Sequence, residues 1–247
     1  MSNRTIIFAL SLLVGLCGLT LRAQQEPLPT RKVNVKTLLL SEHAEPVFVR
    51  EAKGGGWVRC NLSKRRVSPP VEITAVGDQI IFYQPGVGTD ETGAPLYNPV
   101  GSAVLPAGGK NFLLLFSESK DATEGAKYRL AAIPRDGLVG KRGQTILYNM
   151  SSYPIVGESG GERFSLKRGG YAEIHPEANK NNNLSLRLAR YANDDWQVAF
   201  STVWGNNPDL NTLFFIFDAR GGKDKIEVKR FYDSPIPTPP PPEVSGL

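Results

Sequence analysis

The sequence predicts an all-β protein built as two antiparallel β-sandwich modules, and three observations carry that expectation. Apolar residues recur with a period of two along most of the chain. Clusters of glycine, asparagine and aspartate punctuate these runs at short intervals, supplying the backbone conformations that tight turns need. No amphipathic stretch of helical length interrupts them, so neither an α/β nor a helical-bundle layout fits.

The chain opens with the three parts of a secretory signal. Arg4 gives a positive start, residues 6–21 are mostly apolar, and Leu21-Arg22-Ala23 ends in the small residue that signal peptidase requires. The apolar run is shorter than the roughly 20 residues of a membrane-spanning helix. The expectation is therefore a signal peptide over 1–23 and an exported protein, periplasmic or extracellular, of bacterial type. An uncleaved N-terminal anchor is the alternative. Cleavage removes two arginines and no acidic residue, so the net charge falls from +5 to +3. That mild basicity does not argue for nucleic acid, and it allows weak attraction to anionic envelope polymers. It also leaves Cys60 as the one cysteine, so no intramolecular disulfide can form and stability must come from packing. Cys60 alternates with Val58 and Leu62, which places it on the inward face of a strand.

The first module is expected over 31–135. It opens with Val33 and Val35 alternating with Asn34 and Lys36, and it contains Phe112-Leu-Leu-Leu-Phe116, apolar on both faces as in a strand covered from two sides. A polar, glycine-bearing link over 135–143 follows. The second module, 144–233, contains the alternating Leu184, Leu186 and Leu188, then Trp196, Val198, Phe200, Thr202 and Trp204 on one face, then the doubly apolar Leu213-Phe-Phe-Ile-Phe217. The parity of Trp196 and Trp204 assigns both to the core. A faint echo pairs Val58-Arg-Cys-Asn-Leu-Ser63 with Ile146-Leu-Tyr-Asn-Met-Ser151, which suggests two related modules. Residues 234–247 are proline-rich and lack the N–H donors a sheet needs, so they read as a disordered, extended arm.

Catalytic motifs are weighed next. Gly157-Glu-Ser-Gly-Gly161 matches the Gly-x-Ser-x-Gly nucleophile pattern around Ser159. The residues after it, Arg163, Phe164 and Leu166, continue as a strand where a nucleophile elbow needs a helix. A triad in the order His, Asp, Ser would have to use His43, the only histidine before Ser159. A hairpin turn of small residues explains the motif equally well. Ser117-Glu-Ser-Lys120 matches Ser-x-x-Lys but lacks the accompanying Ser-Asp-Asn and Lys-Thr-Gly elements. His43 and His175 have no ligand-spaced neighbours, and no loop fits a calcium hand. Asn61, Asn149 and Asn183 begin glycosylation-type triplets. Trp204, Tyr97 and Tyr153 lie near turns, where exposed aromatic rings can stack on sugars. No catalytic, cofactor-binding or metal-binding residues are assigned.

With the strands laid out, the chain resembles a group of uncharacterised exported proteins from the Planctomycetes–Verrucomicrobia bacteria. The matching pieces are Gln79-Ile-Ile-Phe-Tyr83, Ala103-Val-Leu-Pro-Ala-Gly108, Leu147-Tyr-Asn-Met-Ser-Ser-Tyr-Pro154, Phe164-Ser-Leu-Lys-Arg-Gly169 and the strands from Trp196 to Phe217. That group has no established activity to carry over. A second likeness is to periplasmic pilus chaperones, also basic, exported and built of two immunoglobulin-like domains. Tyr128-Arg-Leu-Ala-Ala-Ile-Pro134 sits where their first domain ends. The sequence thus predicts a non-catalytic envelope protein that acts by binding or assembly, its partner an envelope protein or a polysaccharide. A carbohydrate-binding module, a pilus-type chaperone and a serine hydrolase using Ser159 are the alternatives. The first would need a row of exposed aromatics on one sheet face.

Overall fold

The computed structural model describes residues 29–41, 45–51, 55–119, 126–192, 194–219 and 225–237. The expected signal peptide, His43, Lys120 and the proline-rich run beyond 237 lie outside the described residues. Sixteen strands account for most of what is described: β1 (Thr30–Leu39), β2 (Val47–Arg50), β3 (Trp57–Cys60), β4 (Val71–Val76), β5 (Gln79–Thr89), β6 (Pro95–Val104), β7 (Asn111–Glu118) and β8 (Tyr128–Pro134), then β9 (Thr145–Asn149), β10 (Ile155–Ser159), β11 (Glu162–Leu166), β12 (Tyr171–Ile174), β13 (Asn183–Ala192), β14 (Asp195–Gly205), β15 (Asn211–Asp218) and β16 (Ile226–Asp233). The all-β class holds.

The two halves share one wiring diagram. In the second, one sheet runs β11-β10-β13-β14 and the other β12-β9-β15-β16. In the first, the same pairings give β3-β2-β5-β6 and β4-β1-β7-β8. There the two sheets fuse into one eight-stranded sheet because β4 turns directly into β5, with a single rung at Val76↔Gln79. Each half pairs its first strand parallel to its seventh, β1 with β7 and β9 with β15. The register agrees in detail. Val47↔Cys60 matches Ile155↔Leu166, and the ladder slips at Phe82/Tyr83 in one half and at the corresponding Leu188/Ala189 in the other. Bulges are specific features of a fold, so a shared bulge is a sign of duplication. This alignment corrects the echo seen in the sequence: Ile146 to Asn149 corresponds to Lys36 to Leu39 of β1, whereas β3 corresponds to β11.

Alternation explains which faces are buried. Val33, Val35, Ile73, Ile80, Phe82, Phe112, Leu114 and Phe116 point between the sheets of the first half, and Leu147, Ile155, Leu166, Leu186, Leu188, Phe214 and Ile216 do the same in the second. The intervening residues of the doubly apolar strands form a third core that joins the halves. Leu38, Leu113 and Leu115 meet Ile146, Tyr148, Leu213, Phe215 and Phe231. Equivalent sheets of the two halves therefore pack on each other, and each large side chain sealed there stabilises by about 1.5–3 kcal/mol.

A buried ionic triad sits in the same junction. Lys36 Nζ lies 2.6 Å from Asp233 Oδ1, and Arg135 Nη2 lies 2.7 Å from Asp233 Oδ2. Lys36 also donates to the Ser234 carbonyl, and Arg135 Nη1 donates to Tyr148 Oη at 3.4 Å. Burial pushes the Tyr148 hydroxyl above its ordinary pKa, against the pull of Arg135. Two polar features of the sequence are thus interior. Lys36, on the polar side of an alternating strand, is covered by the other half, and the 135–143 link carries Arg135 and Leu138 into the junction. The first residues of the proline-rich arm are docked as well: Ile236 is buried and bridges Val139, while Gly140 N–H donates to the Ile236 carbonyl.

Candidate functional site

The catalytic lookalikes do not assemble a site. Ser159 ends β10, where Gly160 and Gly161, both at positive φ, make the two-residue hairpin turn into β11. Its side chain is fully buried and its Oγ has no hydrogen-bond partner among the described residues. His175, just past β12, is exposed and lies 3.9 Å from Glu173 of that strand. Ser117 Oγ donates to the Arg129 carbonyl across the β7–β8 ladder. Cys60 is buried, and burial pushes its thiol up to about 12, so it stays neutral and a poor nucleophile. Asn149 cannot serve as a glycosylation acceptor in the folded chain, because it is buried and its Nδ2 donates to the carbonyls of Tyr153, Leu166 and Lys167. Among the described residues, no group of three His, Cys, Asp or Glu side chains could hold a metal ion, and no helix is long and apolar enough to cross a membrane.

The aromatic residues divide differently from their sequence parity. Trp204 is buried against Phe214. Trp196 is 44% exposed and packs edge-on against Tyr191. The bulge at Leu188/Ala189 breaks the alternation between them, so one parity does not extend along the whole of β14.

What the structure does assemble is an aromatic layer on the outer face of β3-β2-β5-β6. Val47 and Val49 are buried, which turns Phe48 outward; the burial of Phe82 likewise turns Tyr83 outward, and the two face each other in the ladder. Trp57, on the outward parity of β3, stacks on Tyr97 of β6 with ring centroids 3.9 Å apart and planes 21° from parallel. Trp57 meets Tyr83 edge-on at 5.2 Å, and Tyr97 meets Phe48 edge-on at 5.4 Å. All four rings are half-buried. They lean on one another without being covered by any other element. Arg59, opposite Phe48, and Arg50, opposite Trp57, stand exposed on the same face.

A groove opens beside this layer for a topological reason. β2 is tied to β5 by the single pair Phe48↔Tyr83, so the strands diverge beyond it. The opening, about 480 Å³, is lined by Arg50, Glu51, Val76, Gln79, Ile81 and Tyr83. Ile81 and Val76 are 40% and 45% exposed. A second mouth of about 430 Å³ shares Val49, Arg50, Glu51 and Thr74 and continues to Lys32 and Glu72. There the Lys32 ammonium is held above its ordinary pKa by its hydrogen bond to Glu72, 2.6 Å away.

The corresponding face of the second half is differently furnished. Register places Val156 where the first half has Phe48, Glu158 for Arg50, Arg163 for Trp57, Ser165 for Arg59 and Ala189 for Tyr83. That face holds a shallow depression of about 570 Å³. In it Glu158 and Arg163 pair at 3.3 Å. The inward positions match in kind, Val47 with Ile155, Cys60 with Leu166, Phe82 with Leu188. The outward positions do not.

Of the residues in this layer only Tyr97 was singled out in the sequence as a stacking candidate. Phe48, Trp57 and Tyr83 are not among the stacking candidates that the sequence marks. The signal was available as parity: each of the three sits next to a strongly inward residue or shares parity with an arginine. No protein-family model matches the chain, and no curated protein is found related to it.

Proposed function

We propose that the protein is an exported envelope protein that acts by binding rather than by catalysis, and that the outer face of β3-β2-β5-β6 is its binding face. The observation that carries this reading is the contrast between the halves. A duplicated fold keeps its inward residues because both copies need a core. The half-open cluster of four rings has no counterpart of its size on the second copy, whose same face carries the smaller Tyr191–Trp196 edge pair, so a cluster of that size is not needed for packing. Large aromatic rings on a surface favour contact with another molecule, since water wets them poorly. The chaperone alternative receives no such support. Lys36 and Arg135, the basic residues at the junction, are buried and paired to Asp233, so they offer no anchor to an incoming strand.

Site-specific photocrosslinking in the native envelope tests the reading. A photoreactive residue at Ile81, beside the aromatic layer, should capture a defined partner, and the same probe at Val198 on the second half's face should not. Equal capture at both positions, or capture only at Val198, would move the binding face elsewhere.

A further inference from the structure

We infer that the ligand of this face is an acidic polysaccharide, whose sugar rings stack on the Trp57–Tyr97 pair and whose carboxylates are taken by Arg50 and Arg59; the inference rests on the reading that this face binds. Two independent features of the site converge on that chemistry. The first is the aromatic layer. The C–H faces of a sugar ring are apolar while its rim is polar, and a half-open Trp or Tyr offers a flat apolar surface with room for polar contacts at its edge. Four strands set about 4.8 Å apart make a strip about 14 Å wide, which suits a short run of an extended chain. A stable protein–protein interface needs about 800 Å² from each partner, whereas beyond the rings the exposed large apolar side chains near the groove are the scattered Ile81, Val76 and Val104.

The second feature is charge. Arg50 and Arg59 are exposed, flank the rings on neighbouring strands, and form no ion pair among the described residues. The acidic groups lining the two mouths are Glu51 and Glu72, and Glu72 is paired to Lys32, so with Arg50 and Arg59 the site carries a net positive charge. On the second half the exchange of Arg50 for Glu158 and of Trp57 for Arg163 creates an internal ion pair that consumes both charges. An arginine presents a planar fork that matches a carboxylate bidentately, and one left unpaired beside aromatic rings is placed for an anionic ligand. Aromatic stacking without the arginines would suit a neutral glycan. Arginines without the rings would suit any anion. Together they select a polymer that is both sugar and acid.

The test uses the full mature chain, with polygalacturonate and its carboxyl-reduced derivative as probes, and affinity electrophoresis or calorimetry as the readout. Polygalacturonate should bind at least tenfold more tightly than the reduced polymer, and the preference should weaken with added salt. The double substitution Arg50→Gln, Arg59→Gln should abolish the preference, while Trp57→Ala should weaken binding to both polymers by tenfold or more. Unchanged thermal unfolding of each variant shows that the fold is intact. Equal binding of the two polymers overturns the acidic assignment while leaving the binding face in place. Binding of neither polymer overturns the polysaccharide assignment, and the photocrosslinking result then judges the face separately. Binding that survives Trp57→Ala unchanged overturns the stacking role.

Discussion

Asp233 holds the most consequential side chain outside the aromatic face. Its two carboxylate oxygens are shared between Lys36 and Arg135, and all three groups are sealed from water. Removing the acid leaves two buried cations without a counter-charge, so Asp233→Ala should cost about 3–5 kcal/mol in urea unfolding. The triple replacement Lys36→Met, Arg135→Met, Asp233→Leu should recover most of that loss, because well-packed apolar groups do not carry the desolvation cost of ions. Asp136 makes a different prediction. Burial raises its pKa, but hydrogen bonds from the Lys110 and Asn111 amides and from Asn111 Nδ2 outweigh that and hold the carboxyl below its ordinary value. A lowered folded-state pKa contributes stability that is complete above the unfolded value, about 3.9, and is lost as pH falls through the folded one. Asp136→Asn should therefore cost about 1 kcal/mol at pH 7, and its gap from the wild type in urea titrations should shrink below about pH 4. A gap that widens on acidification would contradict the assignment. Neither acid was legible in the sequence. Both act through partners far away in the chain, and alternation in β1 even pointed Lys36 toward water. Local periodicity shows that a residue leaves one core. It carries no information about a second core formed by a distant segment.

At the scale of strands, the sequence was a better guide. β7 and β15 were identifiable as covered on both faces because both parities are apolar, and the structure puts one parity in each half's own core and the other in the junction. The hairpin turn at Gly160-Gly161 is legible for a local reason as well, both residues standing at positive φ. Long hairpins were harder to read. β5–β6 and β13–β14 carry bulges, and a bulge reverses parity partway along the strand, which is why Trp196 emerged exposed. Close strand approach is another non-local fact. β6 runs near β8 at Gly101, where a Cβ would lie 2.7 Å from the Tyr128 carbonyl oxygen and 2.6 Å from Leu130 Cδ1. The backbone oxygen cannot rotate away, so Gly101→Ala should destabilise by about 1–3 kcal/mol. Gly205→Ala, at a position with no neighbour within 4 Å, should change stability by less than about 0.5 kcal/mol. Chemical denaturation of the pair checks both. Equal effects would mean that β6 and β8 are not in close contact.

For the whole molecule, duplication is the organising fact. Two copies of an eight-stranded unit meet through equivalent sheets, with Leu113 and Leu213, Leu115 and Phe215, Leu38 and Tyr148 in matching registers. Because this third core belongs to neither half alone, unfolding one half uncovers it for the other. The halves should therefore melt in a single cooperative transition, with near-ultraviolet and far-ultraviolet circular dichroism coinciding; two separated transitions would show independent halves. The sequence carried only a misaligned trace of the duplication, since matching β-units share spacing and burial more than residue identity. The aromatic face follows from the same comparison: shared positions maintain the fold, and the differing outward positions are free to specialise. The most direct test of the proposed role is binding of the purified protein to isolated cell envelopes, comparing Trp57→Ala, Tyr97→Ala with Val156→Ala, Val198→Ala. Loss of tenfold or more in the first variant with the second unchanged is the expected result. Equal retention of binding by both, or loss confined to the second, would place the function off the aromatic face.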